Sequence, residues 1–357
     1  TFRPSLPRNM TGFQGRGPPG WSMSKTLLSC LVLALLAACA HGFAAPSVLP
    51  RSVARSTPSL RSTRFQAVST LNVASTSRRS TMQTTMSSPK TSPKNVGKTS
   101  DKNVKENLGK MARDLASTIE KVLGEELELQ DFTLPVDLER VAGEMDGNMC
   151  IIENSAWQSK AFRKIHIELA TFLTSSGEGS GLDILHVVMF PRYEVAGPSV
   201  PMFGCDVVCV RGQVTAAIVD LSPMSREKKL SADYIKAYDK ACRGLTEFEE
   251  PRDIPEFGSH IFGDRCVFVR PSGKDECDRF IKLCGEVLKV HCRQSTKVVE
   301  EASLTPDEVA EALEAQNLYC EKQCENEKTR RILEGSFGVE WTDRYMETLL
   351  FDKPVVQ

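Results

Sequence analysis

The sequence predicts an α/β fold, a three-layer α/β/α sandwich around a central antiparallel sheet. Two observations carry that expectation. Five strand-like runs follow one another between residues 149 and 221, and consecutive strands joined by short turns pair antiparallel. Amphipathic helical stretches precede and follow those runs, so both faces of the sheet can be covered.

The elements are taken in chain order. A helix is expected from Asp101 to Leu123, where Leu108, Met111, Leu115, Ile119 and Leu123 make one apolar stripe, and Gly124 is placed to end it. Strands are expected at Met149–Asn154, Phe162–Ala170, Leu182–Phe190, Gly204–Val210 and Val214–Leu221, with Arg211-Gly212-Gln213 turning between the last two. Cys266–Arg270 is a further strand, closed by Pro271-Ser272-Gly273. Asp275–His291 is amphipathic, with Phe280, Leu283, Cys284, Val287, Leu288 and His291 on one side. Thr305-Pro306-Asp307-Glu308 is a capping box with proline at the first helical position. The helix it opens is expected to run through Lys328–Arg331 to Gly335, and a last helix spans Val339–Leu350.

Charge divides the chain in two. It has 46 acidic residues, none before Asp101, and 45 basic residues, 13 of them before that point. The segment from Asp101 onward therefore holds 32 basic and 46 acidic side chains, a net −14. Phosphate contacts need a surplus of Lys and Arg, so no nucleic-acid partner is expected. No apolar run reaches the roughly 20 residues that span a bilayer, so no membrane association is expected of the mature form.

The first 100 residues look like a leader. Met23 is the expected start, followed by Lys25 and an apolar run from Leu27 to Ala40 of signal-peptide size, with small residues at Ala38, Ala40 and Gly42. From Arg51 to Ser100, 21 of 50 residues are Ser or Thr, basic residues recur and acids are absent, the composition of an organelle transit peptide. The tandem resembles the bipartite leaders of algae whose plastids derive from a eukaryotic endosymbiont. The expected division is a signal peptide over 1–42, a disordered plastid transit segment over 43–100 and a single domain over 101–357, acting as a monomer in the plastid stroma.

Ten of the 12 cysteines lie after residue 101, with no Cys-x-x-Cys pair and no partner at ligand spacing beside Cys205/Cys209 or Cys320/Cys324. They read as small buried apolar residues. No metal, flavin or iron–sulfur motif is present.

The informative residues are ionisable groups inside strands. In Phe162–Ala170, Lys164, His166 and Glu168 alternate with Ile165, Ile167 and Leu169. Taken alone, the polar side could simply face solvent. His186 interrupts an almost wholly apolar strand, where a satisfied core histidine is the plainer reading. Asp206 sits in Phe203-Gly204-Cys205-Asp206-Val207-Val208-Cys209, and a carboxylate buried there needs a partner or a raised pKa. Four such groups on neighbouring strands suit general acid work near neutral pH. Arg252, alone in an acidic stretch, and the cluster Lys328-Thr329-Arg330-Arg331 suit ligand carboxylates, although the cluster equally complements its own helix dipole.

These residues fall into a pattern. Phe162-Arg163-Lys164 with His166-x-Glu168-Leu169-Ala170, Gly181-Leu182-Asp183-Ile184-Leu185-His186-x-Val188-Met189-Phe190-Pro191, Phe203-Gly204-Cys205-Asp206, Ala216-Ala217-Ile218-x-Asp220-Leu221-Ser222-Pro223 and Lys328-Thr329-Arg330-Arg331 closely resemble the ferredoxin-dependent bilin reductases over about Ile151 to Asp352. The resemblance implies an α/β/α sandwich that reduces biliverdin IXα by single-electron transfers from reduced ferredoxin, holding no cofactor of its own.

It also implies roles. Asp206 matches the family's central proton-delivering aspartate, His186 the histidine beside it, Glu168 the glutamate that protonates the D-ring vinyl group, and His166 a relay near that glutamate. Arg252 and Lys328 match basic residues near the propionates, Thr215 a small hydroxyl, and Asn326 and Ile332 pocket-lining positions. Glu168 together with His186 points to the phycocyanobilin-forming branch, with a phycoerythrobilin or dihydrobiliverdin product as the alternative and a non-catalytic bilin carrier as a third reading. The loops at Thr171–Gly181 and Tyr193–Val200, Phe257 in place of Trp and Ile332 in place of Val depart from the family pattern. Arg226, Lys228 and Lys229, or Lys328 with Arg330 and Arg331, are candidates for meeting an acidic ferredoxin.

Overall fold

The computed structural model describes residues 94–95, 103–173 and 179–354. The expected leader lies outside the described residues except at its end. There Lys94–Asn95 (β1) pairs with Arg140–Met145 (β3), so these two residues belong to the sheet and not to the disordered stretch expected over 43–100. The remaining strands are Gln130–Asp131 (β2), Asn148–Gln158 (β4), Phe162–Leu173 (β5), Gly179–Pro191 (β6), Met202–Val210 (β7), Gln213–Ser222 (β8) and Val267–Val269 (β9). They form one nine-stranded sheet in the order β1-β3-β4-β5-β6-β7-β8-β9, with β2 also on β4, and each of these pairings is antiparallel.

Two-residue turns set the register at two points. Arg211 and Gly212 both take positive φ between Val210 and its partner Gln213, as expected from the sequence. Asp146 and Gly147 do the same between Met145 and Asn148. That hairpin, and the strand β3 it begins from, went unpredicted.

The helices are Val104–Asn107 (α1), Lys110–Glu126 (α2), Val136–Glu139 (α3), Tyr193–Ala196 (α4), Ala232–Ala241 (α5), Gly273–Glu301 (α6), Pro306–Cys324 (α7), Glu327–Phe337 (α8) and Val339–Tyr345 (α9), the last continued by a wide turn over Met346–Leu350. Two expectations are corrected. The first helix is broken at Leu108-Gly109 and runs past Gly124, because the Gly109 N–H leaves the helix to donate to buried Asp183 at 2.8 Å. The long C-terminal helix stops at Cys324, because the Asn326 side chain accepts from the N–H groups of Lys328 and Thr329 and caps a separate helix.

The sheet carries a different core on each face. Ile165, Ile167, Leu185, Val187, Cys205 and Val207 pack with α2 and α6 on one side. Ile152, Ala170, Val188 and Phe190 pack with Tyr319 of α7, Leu333 of α8 and Tyr345 of α9 on the other. Helices on both sides of one antiparallel sheet are the three layers the sequence predicts. The ten cysteines among the described residues are free, and burial pushes thiols such as Cys150 up to about 12, in keeping with a packing role.

Candidate functional site

The polar residues within the strands lie on the second of these faces, and the register aligns them. Asn154 on β4 pairs with Glu168 on β5, Glu168 with His186 on β6, and His186 with Asp206 on β7. Directly opposed antiparallel residues hold their Cβ atoms about 5 Å apart, so the four side chains form one row across four strands. His166, two positions before Glu168, flanks that row, with its ring centroid 6.2 Å from that of His186. The alternation in β5 thus marks a covered face and not a solvated one: Lys164, His166 and Glu168 are 1%, 0% and 6% exposed.

The chain's C-terminal end makes the cover. The Tyr345 hydroxyl donates to Glu168 Oε2 at 2.6 Å and lies 2.8 Å from Asn154 Oδ1. Phe351 sets its ring against His186 with centroids 5.8 Å apart. Asp352 holds this end down by pairing with Arg163 and Lys164, whose side chains lie over the Phe190 ring, while Lys164 Nζ also donates to the Leu349 carbonyl. Desolvation brings the Lys164 ammonium down to about 8 even with Asp352 opposing it. Tyr319 covers Gly204: a Cβ at that glycine would stand 3.3 Å from the tyrosine hydroxyl.

One expectation about Asp206 fails. Its side chain is 41% exposed, whereas its neighbour His186 is 13% exposed. Asp206 has apolar neighbours along the chain, but the cover over Gly204 does not extend over it. Burial needs a second layer, and strand composition does not report where that layer ends.

The electrostatics separate the groups. Desolvation raises the Glu168 pKa, and the opposing influences of His186 and the Tyr345 hydrogen bond do not cancel it. Desolvation also works against a charged His186, but the charge and hydrogen bond of Asp206, aided by Glu168, raise its pKa overall. His166, enclosed and near Lys164 and His186, is held well below the ordinary histidine value. The row therefore combines a carboxyl whose proton affinity burial raises, an imidazole whose proton affinity a neighbouring carboxylate raises, and an enclosed imidazole whose proton affinity burial lowers. Groups tuned in this way are suited to proton transfer.

The other predicted residues form outlying groups. The Arg252 guanidinium donates to the Thr215 carbonyl and lies 5.6 Å from the Phe268 ring, at a register shift in β8. Ile332 packs against the apolar cluster of the site face. The Asn326 side-chain oxygen is engaged in capping α8. Lys328 is exposed, but Arg330 pairs with Glu334 and Asp343 and Arg331 with Glu327, so the expected basic cluster is largely neutralised locally. Arg226 is likewise taken up by Asp307, Glu311 and Glu314.

Sequence reasoning missed Asn154, Tyr345, Phe351 and the Asp352 clasp. The alternation of β4 placed Asn154 on the same side as Ile152 and Ala156, a signal that was present but unused. Among the described residues no group of three or more His, Cys, Asp or Glu side chains is arranged to hold a metal ion. No helix there is long and apolar enough to cross a membrane.

Comparison with known proteins places this arrangement. Residues 116–352 match the family described as ferredoxin-dependent bilin reductase. The chain is 43% identical over 240 residues to phycocyanobilin:ferredoxin oxidoreductase of Trichodesmium erythraeum, covering 67% of this chain and 92% of that protein. Proteins of the same name from Synechococcus elongatus and Gloeobacter violaceus are 42% and 40% identical, covering 70% and 67% of this chain and 96% and 89% of theirs. The crystal structure of phytochromobilin synthase from tomato in complex with biliverdin aligns with a TM-score of 0.51 over 66% of this chain and 81% of that one, at 14% identity, a likeness of fold.

Proposed function

The chain belongs to the ferredoxin-dependent bilin reductase family, and from that premise we propose that it reduces biliverdin IXα to phycocyanobilin with electrons from reduced ferredoxin. As a member of the family it is an oxidoreductase that uses ferredoxin, and the names of its relatives support a role in phycobilin synthesis. The product is carried by the similarity to three proteins named for phycocyanobilin.

The observation that carries the mechanism is the register of Glu168, His186 and Asp206 on one sheet face. Ferredoxin delivers one electron at a time, so the first electron of each pair leaves a pigment radical whose basicity has risen, and the second pairs the odd electron. A proton must then come from a side chain already poised to give one. Glu168, whose pKa desolvation raises, is the proposed donor to the D-ring vinyl group. His186, charged against Asp206, is the proposed partner of the lactam oxygens, and Asp206, open on one side, is the proposed point where protons enter. His166 is the proposed relay. Arg252 and Lys328 are proposed to lie near the propionates, Thr215 to offer a small hydroxyl, and Ile332 and Asn326 to border the pocket.

The proposed compartment is the plastid stroma, reached through the leader over 1–100, with the protein acting as a monomer. That address rests on the sequence of the leader, and the cyanobacterial relatives lend it no support. Fusing residues 23–100 to a fluorescent protein and following its import into isolated plastids tests it.

Identifying the product formed from biliverdin IXα, ferredoxin and an electron source tests the central reading. Phycocyanobilin is expected. A phycoerythrobilin or dihydrobiliverdin product would overturn the branch assignment, and a stable coloured complex unchanged by reduced ferredoxin would overturn the enzyme reading of the site.

A further inference from the structure

Asn154 is buried, 6% exposed, and all of its polar side-chain atoms are engaged. Its Nδ2 donates to the Leu138 carbonyl at 2.7 Å. Turning the amide over would set Oδ1 against that carbonyl at the same separation, two acceptors with no proton between them, so the amide has one tolerable orientation. Oδ1 then lies 2.9 Å from His166 Nε2 and 2.8 Å from the Tyr345 hydroxyl. An amide oxygen only accepts, so His166 must present an N–H at Nε2.

The consequence falls on the other ring nitrogen. His166 is fully enclosed, and its Nδ1 is buried with no hydrogen-bond partner among the described residues. A neutral ring protonated at Nε2 carries its lone pair on Nδ1. We propose that Asn154 is a positioning residue that fixes His166 as the Nε2–H tautomer, which makes Nδ1 a proton acceptor beside the donor row. Within the reductase reading, on which the functional part of this inference rests, His166 then receives a proton before it can pass one on.

Tyr345 ties this acceptor to the donor. Its single hydroxyl proton has two acceptors in reach, Asn154 Oδ1 and Glu168 Oε2. While Glu168 is protonated, its own O–H can donate to the Tyr345 oxygen, and Tyr345 donates to Asn154. Once Glu168 has given up its proton, the hydroxyl turns to the carboxylate, and Asn154 Oδ1 is left to His166 alone. The His166 Nε2–H bond therefore strengthens as Glu168 discharges, which favours uptake of a proton at Nδ1.

Nitrogen-15 NMR of the full chain, labelled on its five histidines and free of bilin, reads the tautomer directly. The expected spectrum assigns His166 a pyrrole-type Nε2 and a pyridine-type Nδ1 near neutral pH, with the assignment made by comparison with His166→Gln. A pyrrole-type Nδ1, or a doubly protonated His166 ring, overturns the proposal. Asn154→Leu removes the acceptor and is expected to mix the tautomers and to lower kcat by on the order of tenfold or more with KM for the bilin unchanged. An Asn154→Leu protein with the wild-type tautomer and kcat also overturns the proposal. Should that variant fail to fold, the wild-type spectrum still decides. The spectrum needs no substrate, so a wrong tautomer leaves the reductase reading standing. Absence of bilin reduction by the wild type would leave the tautomer standing.

Discussion

The C-terminal clasp gives the sharpest stability test. Asp352→Ala leaves the Lys164 ammonium 1% exposed, with the Leu349 carbonyl at 2.6 Å and the face of Phe190 at 4.4 Å as its remaining recorded company. Removing one partner of a buried pair costs about 3–5 kcal/mol, since the surviving charge is uncompensated. The Arg163 arm, at 15% exposure and bonded also to Gln316, adds at most about 1 kcal/mol in the manner of a surface pair. Lys164 has one escape, which is to lose its proton. Its pKa is already drawn down to about 8 by desolvation, and without Asp352 it falls further, which limits the loss to the lower half of that range. The expected cost is about 3–4 kcal/mol, or a fall in Tm of roughly 10 °C. Thermal and urea unfolding of the variant measure it. Lys164→Met on top of Asp352→Ala removes the orphaned charge and is expected to recover part of the loss, a coupling of about 2 kcal/mol. A single-variant loss below about 1 kcal/mol, or purely additive losses in the double variant, would show that the clasp is only a surface pair.

Three further outcomes follow from the row. Glu168→Gln removes the carboxyl proton but keeps the shape, so bilin affinity is expected to stay within a few-fold while D-ring vinyl reduction slows by about 10²–10⁴-fold; chromatography of the products checks it, and unchanged phycocyanobilin formation refutes the role. Asp206→Asn is expected to stall turnover with a bilin radical present, read by electron paramagnetic resonance, and normal turnover with no radical counts against proton entry there. In the folded protein the His186 pKa is raised above the ordinary histidine value of 6.5. Its stabilising contribution is therefore fully present below 6.5 and lost as pH rises through the folded pKa. His186→Gln is expected to flatten the decline of unfolding free energy above pH 6.5, and an unchanged slope would refute the linkage.

Strands were legible because period-two alternation and apolar runs are strong local signals, and the turn at Arg211-Gly212 carried its own chemistry. Strand β3 was not legible, although Asp146-Gly147 is a strong hairpin signal. Its sequence, Arg-Val-Ala-Gly-Glu-Met, includes Gly143, which weakens strand character. The structure supplies the reason for that glycine: a Cβ there would stand 2.4 Å from the Ser336 carbonyl and 2.6 Å from the Phe337 ring, so α8 packs directly on the backbone. Long-range packing wrote that residue, and local propensity cannot read it. The site divides in the same way. His166, Glu168, His186 and Asp206 stood out as ionisable groups in strands. Asn154 and Tyr345 are ordinary residues whose importance appears only when α9 is laid over β4 and β5. Asn326 matched a motif, yet it spends its oxygen on a cap.

The row also explains how two carboxylates one strand apart on either side of His186 can do opposite work. Glu168 is enclosed and Asp206 is open, and burial raises the Glu168 pKa, a difference of environment that suits the two carboxylates to different roles. In the proposed mechanism Glu168 starts with its proton and His186 is charged. When Glu168 gives its proton away, the new carboxylate finds the His186 imidazolium about one cross-strand spacing away. At about 5 Å and an effective dielectric constant of about 20, that attraction is on the order of 3 kcal/mol. In this proposal the donation is least costly while His186 is charged, and the charge and hydrogen bond of Asp206 raise the His186 pKa. In this proposal Asp206 influences the acid two strands away without touching it, by way of His186. Loss of the Asp206 charge should therefore weaken Glu168 as a donor as well as discharge His186, so the Asp206→Asn and Glu168→Gln effects on turnover should fail to multiply when the two substitutions are combined.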